Sequence, residues 1–144
     1  MAASTADRYD IKSADVLMYI SRKVAAATLI YKGIIVANNG SGYVVAGSDT
    51  AGLKVLGISD QQVDNSGGIA GAKSVEIQPF ETHRFIEVDA VSPDDSWLEN
   101  LAYLSDDHTV AITGVSNSIV LGTVKVIVKT GTAGRVLVDT WKRA

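Results

Sequence analysis

Apolar and polar positions alternate in short runs along most of this chain, and no apolar run is long enough for a large helix. From Leu29 to Gly71, β-rich runs are separated by clusters of Gly, Asn, Asp and Ser. Apolar residues at every second position, bounded by turn formers, are the mark of half-buried strands. The pattern predicts strands over 28–36, 43–46, 53–59, 73–78, 82–88, 101–104, 109–113, 122–129 and 135–141. The last two are the richest in β-branched residues, which fit a pleated surface best. Short strands at roughly 8–12-residue spacing predict an all-β fold, a small β-barrel or sandwich that is jelly-roll-like or β-tulip-like.

The punctuation supports this reading. Asn38-Asn39-Gly40-Ser41-Gly42 predicts a hairpin turn, because Asn and Gly tolerate the positive φ that tight turns need. Gly33 stands inside the first predicted strand and suggests a bulge or a close backbone approach. In 53–59 Leu53, Val55 and Gly57 share one face and Lys54, Leu56 and Ile58 the other, so both faces are partly apolar, as in a strand enclosed by a barrel or sandwich. Residues 64–71 read as a Gly-rich turn, Pro79 ends the next strand, and Gly131-Thr132-Ala133-Gly134 joins the last two strands as a hairpin. One short helix is predicted near 93–100: Ser92 as its cap, Pro93 at the first helical position, and Asp94 and Asp95 at the positive end of the helix dipole.

Residues 1–23 differ from the rest. They are polar and charged apart from the island Val16, Leu17, Met18, Tyr19 and Ile20. They read as an extended arm that orders only against another surface, presenting Tyr9, Ile11, Val16, Leu17, Met18, Tyr19 and Ile20 as interface residues. A frayed terminus or an edge strand of the same domain fits them equally well. The β domain proper is expected to span 24–144.

Bulk properties narrow the function classes. A chain of 144 residues suggests one domain. Cysteine is absent, which removes disulfides, thiolate catalysis and Cys-based metal sites. The formal net charge is −3, without the basic footprint of a nucleic-acid binder. Residues 24–31 form the longest near-apolar run, far below the ~20 residues a membrane helix needs. The opening Met1–Asp10 lacks a basic region followed by an apolar run, so no export signal is expected.

Candidate chemistry is sparse. Gly40-Ser41-Gly42 lacks a third Gly at position 45 and precedes a strand, so it reads as a turn and not a nucleotide loop. Asp106-Asp107-His108, with His83 as a further candidate, has the residue types of a metal cluster, but adjacent residues in one turn seldom converge on an ion, and a polar hairpin turn is expected. With only His83 and His108 and no Gly-x-Ser-x-Gly elbow, no Ser-His-Asp arrangement is indicated. Asn39-Gly40-Ser41 matches a glycosylation acceptor but is better read as part of the turn. No catalytic residue, metal ligand or cofactor is expected.

Several features occur in a familiar order: the Lys32-Gly33 step, Gly42-Tyr43 in a hairpin, Val55 to Ile58, the Asp64-to-Gly71 turn, the Ala102-to-Val110 strand and double-Asp turn, and the closing Val136 to Asp139. In this order the chain resembles the capsid cement (head decoration) proteins of tailed bacteriophages. The likeness runs from about Thr28 to Asp139; the segment 81–89 and the arm do not match. It implies a non-enzymatic virion protein on the outer surface of the capsid, made in the host bacterial cytoplasm, whose partners are the major capsid protein and itself, as a homodimer in preference to a homotrimer. A carbohydrate- or ligand-binding β module of a fibre or adhesin is the alternative, since β-sandwiches host many functions.

Overall fold

The computed structural model describes residues 19–80 and 85–140. The chain is all-β, as expected, and builds two curved sheets in succession. The first comprises β1 (Ile20–Lys23), β3 (Ile35–Asn38), β4 (Val44–Ala46), β5 (Lys54–Ser59) and β7 (Ser74–Pro79) in the order β1-β7-β5-β3-β4. Its neighbours are all antiparallel. The two edges approach each other just past β1, where Val24 bridges Val44 in parallel and the Ala25 amide donates to the Val44 carbonyl at 3.0 Å. A separate ribbon pairs β2 (Thr28–Ile30) with β6 (Val63–Asn65). The second sheet is a closed barrel of β8 (Phe85–Ala90), β9 (Leu101–Leu104), β10 (Thr109–Ala111), β11 (Val120–Lys129) and β12 (Gly134–Asp139) in the order β10-β8-β12-β11-β9. Antiparallel β9–β10 pairing, with Val110 opposite Leu104, and parallel β8–β10 pairing complete the ring.

The first sheet thereby curls into an open, barrel-like unit, hereafter the first barrel, and each of the two units has its own core. Val24, Ile30, Val36, Val44, Val63, Val75 and Ile77 fill the first. Ile86, Val88, Leu104, Val110, Leu121, Val124, Val136 and Val138 dominate the second. Strict alternation makes this possible: β7 and β8 each bury every second residue.

The wall between the cores explains a sequence feature. Leu56 of β5 packs on the first core, whereas Leu53, Val55 and Ile58 pack on the second. In β3 Val36 faces the first core and Ile35 the second. Phe80, just after β7, is also buried in the second core. Residues of the first sheet thus contribute apolar surface to both barrels, which is why 53–59 is apolar on both faces.

Several boundaries differ from expectation. For 1–23 the sequence leaves an arm and an edge strand open, and over Ile20–Lys23 the edge strand is found, registered on β7 with Ile20 opposite Ile77. Ile20 packs against the first core and so is fixed within the fold instead of standing free on an arm. The expected strand 28–36 is two strands separated by a turn. Gly33 has φ 82 and open space around its missing side chain, so it serves the turn and neither a bulge nor a close approach. The expected Gly-rich turn at 64–71 begins inside β6. The helix is a single 3-10 turn, Asp95–Trp97, capped by Asp94 and not Ser92, because the Asp94 side chain accepts from the Ser96 amide at 2.8 Å. Of the expected strands 82–88 and 135–141, β8 begins at Phe85 and β12 ends at Asp139 within the described residues.

Candidate functional site

Among the described residues, the largest concentration of ionisable side chains with mutual contacts lies where the two barrels meet. There a cleft of about 140 Å³ is lined by Gly33, Ile35 and Ile58 from the first barrel and by Glu87, Asp89, Arg135, Asp107 and His108 from the second. Antiparallel β8–β12 register sets Arg135 directly opposite Asp89. Its guanidinium Nε lies 3.0 Å from Glu87 Oε1 and 3.7 Å from Asp89 Oδ1.

His108 enters the cleft from the β9–β10 turn. The turn holds itself: Asp106 Oδ1 accepts from the His108 amide at 2.9 Å and the Thr109 amide at 2.7 Å, and the Ser105 amide donates to the Thr109 carbonyl at 2.9 Å. This is the polar hairpin turn the sequence predicts. His108 Nδ1 lies 2.7 Å from Asp107 Oδ1 and 3.2 Å from Asp106 Oδ1, and Nε2 lies 3.9 Å from Asp89 Oδ2. The hydrogen bond with Asp107 raises the His108 pKa above its ordinary 6.5, and the charges of Asp106, Asp107 and Asp89 add to the rise, while partial desolvation opposes it. Asp106, Asp107 and His108 bring possible ligand atoms within 4.8 Å of one another. The turn's own hydrogen bonds account for that convergence, with Asp106 Oδ1 already accepting two amides.

The same turn grips the first barrel. The Ile35 amide of β3 donates to the Asp107 carbonyl at 2.8 Å, while the Asp89 amide of β8 donates to the His108 carbonyl at 3.0 Å. A second clasp, which the sequence does not signal, joins the loop after β4 to the loop before β11. Asp49 Oδ2 accepts from the Ser116 amide at 2.7 Å, Oδ1 accepts from the Asn117 amide at 2.8 Å, and Asn117 Nδ2 donates to the Asp49 carbonyl at 2.8 Å. The amide bond from Ser116 is the main cause of the lowered Asp49 pKa.

The remaining sequence candidates fall as follows. Asn38-Asn39-Gly40-Ser41-Gly42 is the β3–β4 hairpin turn, with Asn38 Oδ1 accepting from Gly40 and Gly42 and Asn39 Oδ1 from Ser41 and Tyr43. Both Asn side-chain oxygens are spent on the turn, and a strand follows, not a helix. Asp94 caps the 3-10 turn. Of the proposed interface residues, Tyr9, Ile11, Val16, Leu17 and Met18 lie outside the described residues, as does His83. Tyr19 is exposed and Ile20 half-buried in β1. A second, shallower cleft of about 250 Å³ lies among Asp89, Val91, Thr109, Thr132 and Gly134. Among the described residues no helix is long and apolar enough to cross a membrane.

Glu87, Asp89 and Arg135 did not stand out in the sequence, because only the β8–β12 register brings positions so far apart in the chain together. No family model matches this chain, and no curated protein is similar to it.

Proposed function

We propose that this chain is a structural virion protein that binds the outer surface of a phage head and stabilises contacts between major capsid protein capsomers. The observation that carries the reading is the way polar side chains are used. The contacts of Asp49, Asp106 and Asp107 hold loops and join the barrels. A rigid body of this kind suits a cement, which loses little conformational freedom when it docks. The order of turn and strand motifs from Thr28 to Asp139 supports the same reading, as does the apolar island preceding β1.

The alternative, a carbohydrate- or ligand-binding module, draws no support from the two clefts described, whose volumes of about 140 and 250 Å³ fall below the roughly 300–1,000 Å³ typical of small-molecule sites. In the preferred reading the partners are the major capsid protein and a second copy of the chain, as a homodimer.

The test is co-sedimentation of the purified chain with heads that lack it. Saturable binding and increased resistance of the heads to heat are expected. Removing residues 2–18 should weaken attachment while leaving the melting temperature nearly unchanged, since the cut stops short of β1. Failure to bind heads under any ionic condition overturns the reading, and a threefold arrangement on the particle overturns the dimer.

A further inference from the structure

We propose that His108 is a pH-dependent clasp between the two barrels, tightening the Ser105–His108 turn against β3 when its ring is protonated. The inference stands on the geometry of the junction and does not depend on the capsid reading.

The turn is a bridge made of main chain. On one side the Asp107 carbonyl receives the Ile35 amide of the first barrel, and on the other the His108 carbonyl receives the Asp89 amide of β8. Asp107 and His108 therefore carry both the bridging carbonyls and the side chains that pair with each other. Whatever restrains the His108 ring also restrains the main chain that spans the junction.

The charges around the ring favour its protonated form. From its own turn Asp106 and Asp107 face Nδ1, and from β8 Asp89 faces Nε2. Glu87 of β8 lies further along the cleft, and among the described residues Arg135 of β12 is the one permanent cation lining it, placed against Glu87 and Asp89. The residues that the first barrel presents to the cleft, Gly33, Ile35 and Ile58, carry no charge. A protonated ring can donate from Nδ1 to Asp107 while its charge is shared with Asp106 and Asp89. A neutral ring loses that charge and leaves three carboxylates close together.

The sign follows from the raised pKa. The extra restraint is fully present below the unfolded-state value near 6.5 and is lost as pH rises through the higher folded value. The ring is well exposed, so the effect belongs to the range of surface ion pairs, about a two- to fivefold change in a local opening constant.

The experiment is amide hydrogen exchange on the full chain from pH 5.5 to 8.5, read as protection factors so that the intrinsic pH dependence of exchange cancels. Ile35 protection should fall about two- to fivefold across the titration of the ring. The Ser59 amide, bonded to the Ile34 carbonyl within the first barrel, serves as an internal control and should not follow it. The midpoint should coincide with the His108 pKa measured by NMR on the same chain. His108→Gln should remove the dependence while leaving the Asp107 carbonyl in place, and Asp107→Asn should lower the ring's pKa and shift the midpoint with it. Flat Ile35 protection, a midpoint that differs from the ring's, or an unchanged profile in His108→Gln overturns the proposal. The wild-type comparison decides the question even if a variant folds poorly.

Discussion

Replacing Phe80 by Ala measures how firmly the two barrels are joined. Phe80 leaves the end of the first sheet and is buried in the core of the second, with 1% of its surface exposed. Truncation removes the ring's transfer energy and leaves a cavity between the barrels, a loss of about 3–5 kcal/mol. With a urea slope of about 2 kcal/mol/M for a chain of this size, the midpoint should fall by about 1.5–2.5 M. The coupling decides the shape of the curve. The first sheet supplies Ile35 and Phe80 to the second core, so both barrels should unfold together, and the slope should stay unchanged. Far-UV circular dichroism follows both barrels, and Trp97 fluorescence, read in a Trp141→Phe background because the chain holds two tryptophans, follows the second, against whose core the Trp97 side chain packs. Two transitions that separate between these probes, or a midpoint shift under about 0.5 M, would refute the shared-core argument.

Other outcomes follow from the same geometry. Gly122→Ala would place a methyl 2.1 Å from the Asp139 carbonyl oxygen, so β11 and β12 must part; about 1–3 kcal/mol should be lost by chemical denaturation, whereas Gly67→Ala, with open space around it, should be near neutral. Asp49 has a folded pKa below its ordinary 3.8, chiefly through the Ser116 amide, so the stability it contributes is present above that pH and lost as pH falls through the folded value. The melting temperature of Asp49→Asn should therefore depend less steeply on pH between 5 and 2.5 than that of the parent, and parallel curves would exclude the clasp as a source of acid sensitivity.

How much was legible in the sequence depended on the range of the interaction. The β3–β4 turn was read correctly because Asn38 and Asn39 satisfy amides only two to four residues away. The strand at 53–59 was placed to within a residue, and its two apolar faces were noticed, but the reason is long-range: two cores share it as a wall. Gly33 was misread because a turn glycine and a bulge glycine look alike until the pairing partners on either side are known. Ser92 and Asp94 compete as caps with the same chemistry, and backbone conformation decides: Ser92 sits at φ 49, whereas Asp94 is extended and reaches the Ser96 amide. At Ile20 the sequence leaves arm and edge strand undecided, because four residues carry too little periodicity to announce a strand whose partner, Ile77, lies far along the chain. The charged cleft was invisible for a similar reason. Asp89 and Arg135 meet only through β-register, and a one-residue slip would send them to opposite faces of the barrel.

The junction between the barrels is built three times over by different means. Apolar packing of Ile35 and Phe80 joins the cores, the 105–108 turn bonds to β3, and Asp49 binds the loop before β11. Ile35 takes part in the first two joints, through its side chain and its amide, whereas the Asp49 joint draws on separate residues, so loosening either of the first two leaves the third intact. The arrangement fits a protein whose task is to stay rigid while many copies act together. If each copy held its neighbours on a symmetric shell by modest contacts, avidity would supply strength only while the copies kept a fixed shape, because motion between the barrels would let one contact release without straining the next. On the proposed reading, rigidity at the junction would fix where binding surfaces point, and adhesion by the segment before β1 would supply apolar area, at about 1.5–3 kcal/mol for each large side chain fully buried, before ordering costs of about 1–2 kcal/mol per residue are deducted.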